Sequence, residues 1–323
     1  MNDLDRLAES YDALVATDGG GFRRRARVLQ SIWRSKQGYG VGTHSARRGT
    51  RPSGSRLPMP WAEETLANYL SDTVRQVVRC EVLDPEKSRG KLYARPRIFN
   101  DLLSSQPLCF NLFGELQQDL TLATGVLADL TSGRVGRVTA IEFEYSPGRG
   151  DVRYTGDRSA FDAYVVYWTP EGGRGFAGIE VKYHENLLGG SARHRARYDE
   201  VAATMGCFRE ERRGDLRRQP VQQVWRDHLL AGSHRHVDGF DDGFFAFVYP
   251  RGNGHCAAAM RAYRECLSEC DSFVEWTLED VCTAIRRHTD GEWIERFVDR
   301  YLAFEKLARA GKLVGALREA PYS

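Results

Sequence analysis

Lysine is scarce in this chain of 323 residues: six of its 46 basic residues are lysine, at positions 36, 87, 91, 182, 306 and 312, and the rest are arginine. No run of 18 or more apolar residues occurs, so no membrane-spanning helix is expected. The opening stretch, MNDLDRLAESYDALVA, is acidic and amphipathic, whereas a secretory signal begins basic and continues apolar; cytoplasmic residence is the expectation. The seven cysteines are odd in number and scattered. Cys266 and Cys270 lie one helical turn apart with no second pair to complete a zinc site, so reduced thiols in or near the core are expected. There is also no phosphate-binding P-loop, no Gly-x-Ser-x-Gly nucleophile elbow and no internal repeat, which removes the commonest nucleotide-hydrolase, serine-hydrolase and solenoid readings.

Acidic residues are missing altogether between Asp18 and Glu63, where Arg23, Arg24, Arg25, Arg27, Arg34, Lys36, Arg47, Arg48, Arg51 and Arg56 stand. The formal net charge is only +2, so the rest of the chain is acidic overall. A second basic group is formed by Arg193, Arg195 and Arg197. Such lopsidedness suits a polyanionic partner, and it equally suits a solvated arginine-rich segment.

Periodicity divides the chain into three expected regions. Residues 1–104 read as helical, with amphipathic stretches near 3–16 and 22–38 around a basic loop at 38–60 that fits neither helical nor strand spacing. Residues 105–250 read as a long helix (106–130), three strands (RVTAIEFEYSP, SAFDAYVVYWTP and GFAGIEVKY), helices near 193–204 and 219–231, and a fourth strand, FFAFVYP. Residues 251–323 return to helical spacing and are expected to pack on that core.

The two strands joined by the EGGRG turn carry Asp162, Glu180 and Lys182, three charges in segments otherwise built for burial. Side chains alternate along a strand, so Glu180 and Lys182 share one face while Ile179 and Val181 take the other. An antiparallel pairing across the turn brings Asp162 toward Glu180. Two carboxylates about 4 Å apart repel by roughly 4 kcal/mol at an effective dielectric of 20, and a divalent cation removes that repulsion. Mg²⁺ suits such a place, since it takes one or two carboxylates together with waters and phosphate oxygens. In a chain that nearly always writes arginine, Lys182 supplies a compact ammonium of tunable pKa beside the acids. The plain alternative is a same-face ion pair on an exposed strand.

Asp162 followed by Glu180-x-Lys182, within a helix, three strands, helices, strand order, resembles the PD-(D/E)XK nuclease superfamily, and SSQPLCFNLFGEL with GDRSAFD is similar to bacterial putative restriction endonucleases of that group. The first motif here is Phe161-Asp162, without the proline of the superfamily's name. The resemblance implies an α/β, restriction-endonuclease-like core, a mixed sheet flanked by helices with helical additions at both ends. It implies a Mg²⁺-dependent phosphodiesterase, with Mn²⁺ as a substitute, acting on nucleic acid, DNA before RNA, in restriction or defence.

Asp162 and Glu180 would ligate the metal and Lys182 would assist the attacking water. Glu115 is the candidate for a further ligand from the first core helix. Gln222, Gln223 and His184 are candidates for a supporting layer, and Arg23, Arg24, Arg25, Arg47, Arg48, Arg193, Arg195 and Arg197 for phosphate contacts. Glu142 and Glu144 share one face of the first strand, expected to be solvated, with approach to the metal as the alternative, and His234 and His236 are expected in a loop. A non-catalytic nucleic-acid-binding protein of the same fold, or a scaffold protein, stays open, as does assembly into a homodimer.

Overall fold

A computed structural model describes residues 2–18, 21–46 and 49–311. The described residues form two compact units: the chain up to Val78 with Tyr93–Asn111 and the part from Gly291 on, and Arg79–Leu92 with Leu112–Asp290. In chain order the first unit holds α1 (Asp3–Ser10), α2 (Phe22–Lys36), strands β1 (Gly42–Ala46) and β2 (Gly49–Ser53), α3 (Trp61–Thr65), α4 (Asp72–Val78) and α5 (Arg97–Asn100). Helix α6 (Ser105–Gln118) begins in the first unit and ends in the second. The second continues with α7 (Leu120–Leu130), β3 (Arg137–Tyr145), β4 (Phe161–Trp168), β5 (Arg174–Val181), α8 (Ala196–Met205), α9 (Arg213–Leu216), α10 (Gln222–Val237), β6 (Asp242–Tyr249), α11 (Gly254–Glu265), β7 (Phe273–Thr277) and α12 (Leu278–His288). Helix α13 (Glu292–Tyr301) returns to the first unit.

In the first unit the apolar stripe of α2 (Val28, Leu29, Ile32) packs with Leu7 and Ala8 of α1 and with Leu307. Three of the α2 basic residues are structural. Arg24 is buried and bonded to Asp5 and the Val15 carbonyl, Arg27 to both Asp18 oxygens and Ser55, and Arg34 to the Gly54 and Tyr39 carbonyls. The basic run thus cross-links its own unit, because a buried guanidinium must be hydrogen-bonded wherever the chain supplies acceptors.

The second unit is built on a five-stranded sheet of order β3-β4-β5-β6-β7. Strand β4 runs antiparallel to both β3 and β5, and β6 and β7 continue parallel to β5. A parallel step requires a long crossover, and α8, α9 and α10 provide the one between β5 and β6. Helix α10 lies against β5 and β6, α7 against β3, and α12 against α7 and β7. The β4–β5 turn closes at Gly172, whose φ of 87° favours glycine, with the Thr169 N–H donating to the Gly173 carbonyl at 2.8 Å.

Gly178 on β5 lies under the Phe161 ring, so close that an added Cβ would fall 2.4 Å from it. Both neighbours are fixed, since Phe161 is fully buried and Gly178 pairs with Tyr164 on one side and Phe245 on the other. Gly178→Ala is expected to lower stability by about 1–3 kcal/mol through overpacking, read as a drop in the denaturation midpoint.

Four differences from the sequence expectations have physical causes. The long helix breaks at Asp119, whose carboxylate caps α7 by accepting from the Thr121 and Leu122 N–H groups. The basic stretch forms the β1–β2 hairpin, which carries too few apolar residues to show strand alternation. Strand β7 falls in a stretch read as helical, because its buried Phe273 and Trp276 are spaced three apart. Helix α10 runs through His234 and His236 to Val237, where a loop was expected. The expected boundaries at 104 and 250 do not coincide with the two units: α11, β7 and α12 belong with the sheet, and α13 packs on α2.

Candidate active site

Three carboxylates stand side by side on three neighbouring strands. Glu144 lies between the β3–β4 pairs Phe143↔Ala163 and Tyr145↔Phe161, so it faces Asp162. The β4–β5 register ends on Ala163↔Ile179, and one step further sets Asp162 opposite Glu180. An Asp162 oxygen accepts from the Val181 N–H at 2.8 Å, which turns it toward β5. All three line a cavity of about 320 Å³, together with Gln222, Gln223 and Asp227 of α10. Glu144 has a φ of 49°, an uncommon conformation for a residue with a side chain and a form of local strain that concentrates at working sites.

The electrostatics are those of crowded acids. Burial, then the Glu180 charge, holds the Asp162 carboxyl well above its usual range. Burial and the same Glu180 charge raise Asp227. Glu144 is raised by burial, with the Glu180 charge adding to it and Arg149 opposing. Asp227 Oδ2 is buried and accepts no hydrogen bond, an arrangement that is unfavourable unless something fills the place.

Against these acids stand few donors. Lys182 Nζ is bonded to Glu180 Oε1, and Gln223 Nε2 donates to the same oxygen at 2.8 Å. Burial alone would lower the Lys182 pKa, yet Glu180, Glu185 and Asp162 outweigh it and raise it, so the side chain remains an ammonium at neutral pH.

A divalent cation fits this donor set. The acids are hard oxygen ligands, one of their oxygens has no partner, and mutual repulsion would be relieved by positive charge. Among the described residues the acids do not form a group of three with ligand atoms within 4.8 Å of one another. A cation here would therefore draw on one or two carboxylates at a time, the number Mg²⁺ commonly takes.

The structure brings Asp162, Glu180, Lys182 and Gln223 together, and Gln222 beside them. Gln222 exchanges two hydrogen bonds with the Ala192 backbone, at 2.7 and 2.8 Å, and so holds the loop that forms the cavity rim. Glu115 is half-buried on α6 and is not in the cavity lining; Asp227 of α10 is the helix carboxylate that is. His184 lies beyond Lys182, where its buried Nδ1 has no hydrogen-bond partner and its ring, after burial, is the main influence on Glu185, drawing that carboxyl down. Glu144 belongs to the cavity rather than to a solvated face, and Asp227 joins it there without belonging to the Asp162, Glu180-x-Lys182 pattern. The signal for Asp227 was present, since Gln223 and Asp227 are spaced i, i+4 and share a helix face.

Of the arginines, Arg24 is taken up inside its unit and Arg197 anchors the Arg153 and Tyr154 carbonyls at 2.6 and 2.8 Å. Arg23, Arg25, Arg193 and Arg195 are exposed. Arg23 pairs with Asp18 and Arg25 lies over the Phe304 ring. Arg47 and Arg48 lie outside the described residues.

Asp157, within GDRSAFD, fixes the β3–β4 loop beside this site. It accepts from Thr155 Oγ1, the Ser159 N–H, the Tyr198 hydroxyl of α8 and the Arg226 guanidinium of α10. Burial would raise its pKa, but Arg226 and these donors bring it down to about 2. A depressed carboxylate contributes stability above its unfolded pKa and loses it as pH falls through the folded value. Asp157→Asn is therefore expected to lower stability by about 2 kcal/mol at neutral pH, a gap that closes between about pH 4 and pH 2 in denaturation curves.

Comparison with curated proteins and with solved structures finds no significant match. A family model does match, that of the PD-(D/E)XK nuclease superfamily, over residues 16–303. The five-stranded mixed sheet with flanking helices is consistent with the restriction-endonuclease-like fold. With the match spanning most of its length, the chain belongs to the PD-(D/E)XK nuclease superfamily.

Proposed function

We propose that the protein is a metal-dependent nuclease that hydrolyses DNA phosphodiester bonds, in restriction or defence. The observation that carries this reading is the row Glu144, Asp162, Glu180 across three strands, with Asp227, one of whose buried oxygens has no hydrogen-bond partner, lining the same cavity. Asp162 and Glu180 would hold Mg²⁺ or Mn²⁺, which supplies polarisation of the phosphate and activation of water.

The chain's own residues do the rest. Lys182 keeps its proton, so it acts as donor and positive charge toward the phosphate, not as the base. Gln223 fixes the Glu180 carboxylate through one oxygen, and Asp157 with Arg226 fixes the loop that begins β4. Exposed Arg193 and Arg195 contribute phosphate contacts from the second unit, and Arg23 and Arg25 from the first.

The test is incubation of the full chain with duplex DNA, single-stranded DNA and RNA in Mg²⁺, in Mn²⁺ and in EDTA. Scission of DNA that requires the metal is the expected result. Salt-sensitive DNA binding with no scission in either metal would mean a binding protein that keeps the fold, and would overturn the catalytic reading.

A further inference from the structure

Apart from the acidic cavity, three soft donors converge. Cys207 Sγ, Cys270 Sγ and a ring nitrogen of His228 lie within 4.8 Å of one another, and among the described residues they are the one such group of three. Cys207 follows α8, His228 is in the middle of α10, and Cys270 precedes β7, so no local spacing announces them. Cys207 and His228 are buried and Cys270 is partly so.

We infer that Cys207, His228 and Cys270 form a binding site for a thiophilic divalent cation, Zn²⁺ by its preference for sulfur and imidazole donors, separate from the site that the oxygen donors build. The outer contacts are those a ligand histidine needs. His228 Nδ1 is bonded to the buried Tyr263 hydroxyl at 2.8 Å, which directs Nε2 to the thiols. Ser272 Oγ sits 2.8 Å from Nε2 and 3.1 Å from Cys270 Sγ, so this hydroxyl is placed to serve as a fourth ligand or to give way to water. A cavity of about 580 Å³, lined by Cys207, Cys270 and Ser272 among others, gives an ion a route in.

The two cysteine loops are already clamped to each other. The Arg209 N–H donates to the Cys266 carbonyl at 2.9 Å and the Ser268 N–H to the Cys207 carbonyl at 3.0 Å. An ion at this point ties both loops to α10 at His228, the residue after Asp227. It thereby steadies the helix that carries Gln223 and Asp227 to the acidic cavity. Zn²⁺ is held by both sulfurs as thiolates, and any thiol proton displaced on binding goes to solvent.

The experiment uses the full chain purified under reducing conditions without chelator. Zinc content is measured by mass spectrometry of the metal, and Co²⁺ is then exchanged in and followed by absorbance. One zinc per chain in the wild type and in Asp162→Ala, lost in Cys207→Ser and Cys270→Ser, is the expected result. Co²⁺ should give a thiolate-to-metal charge-transfer band in the first pair alone, which oxygen ligands cannot produce. Should a serine variant fail to fold, Zn²⁺ titration of the metal-stripped wild type stands in for it, with saturation at one ion per chain and protection of Cys207 and Cys270 from thiol alkylation expected. No zinc uptake by the wild type, unchanged uptake in both serine variants, or a Cys207–Cys270 disulfide in the reduced preparation would each overturn the site.

Discussion

Asp162→Asn is expected to abolish metal-dependent cleavage and, in EDTA, to raise the thermal midpoint of the same protein. Both follow from one arrangement. The Asp162 carboxylate sits opposite Glu180 with Glu144 on its other side, and burial and the Glu180 charge hold its pKa well above the ordinary range. An acid raised in the folded state contributes stability while protonated and loses it as pH rises through the folded value. At neutral pH its presence therefore lowers stability relative to a neutral isostere. Asparagine keeps an oxygen for the Val181 N–H and removes the charge. A gain on the order of 1 kcal/mol, a few degrees in midpoint, is expected at neutral pH, shrinking as pH falls toward 4. A structural acid would behave in the opposite way, since removing a useful carboxylate lowers stability.

Lys182→Met should also suppress cleavage, by about 10²–10³-fold, but with the opposite effect on stability. The ammonium is the buried cation bonded to Glu180, with the charges of Asp162 and Glu185 also acting on it. Its removal takes away a charge positioned toward the phosphate, a loss of the size seen when one preorganised donor is deleted. It also leaves buried carboxylates uncompensated, at a cost of about 3 kcal/mol in stability. Mg²⁺ or Mn²⁺ should restore part of the lost midpoint in Lys182→Met, because an ion that binds the folded state stabilises it, and should leave the raised midpoint of Asp162→Asn where EDTA sets it. Equal activity in the wild type and both variants would refute the roles assigned to these residues.

The central strands were legible because burial on both faces makes them β-branched and aromatic, and because the Glu-x-Lys alternation fixes which residues share a face. Asp162, Glu180 and Lys182 could be placed from that pattern, whereas Gln223, on a helix, was a candidate only through the family resemblance. Glu144 could not: its alternation with Glu142 suggests a solvated face, and only its left-handed backbone at the strand end and the register with Asp162 bring it to the cavity. Asp227 and Glu115 show the limit of helix-face spacing, which says that two residues lie together but not against what. Gln223 and Asp227 face the sheet because α10 packs on β5 and β6, whereas Asn111, the helix-face neighbour of Glu115, is bound to Asn68, Leu70 and Tyr301.

Arg24 and Arg27 were hidden for a related reason. A run of arginines in sequence says nothing of the acids that the fold returns to it, and Asp5 and Asp18 take them up.

The most direct measurement is anomalous diffraction at the manganese edge from crystals of the full chain soaked in Mn²⁺. A peak in contact with the Asp162 and Glu180 carboxylates, with Lys182 Nζ drawn off Glu180 Oε1, is the result this account predicts. An acidic cavity without manganese, in a protein that keeps the Lys182–Glu180 pair intact, would contradict it.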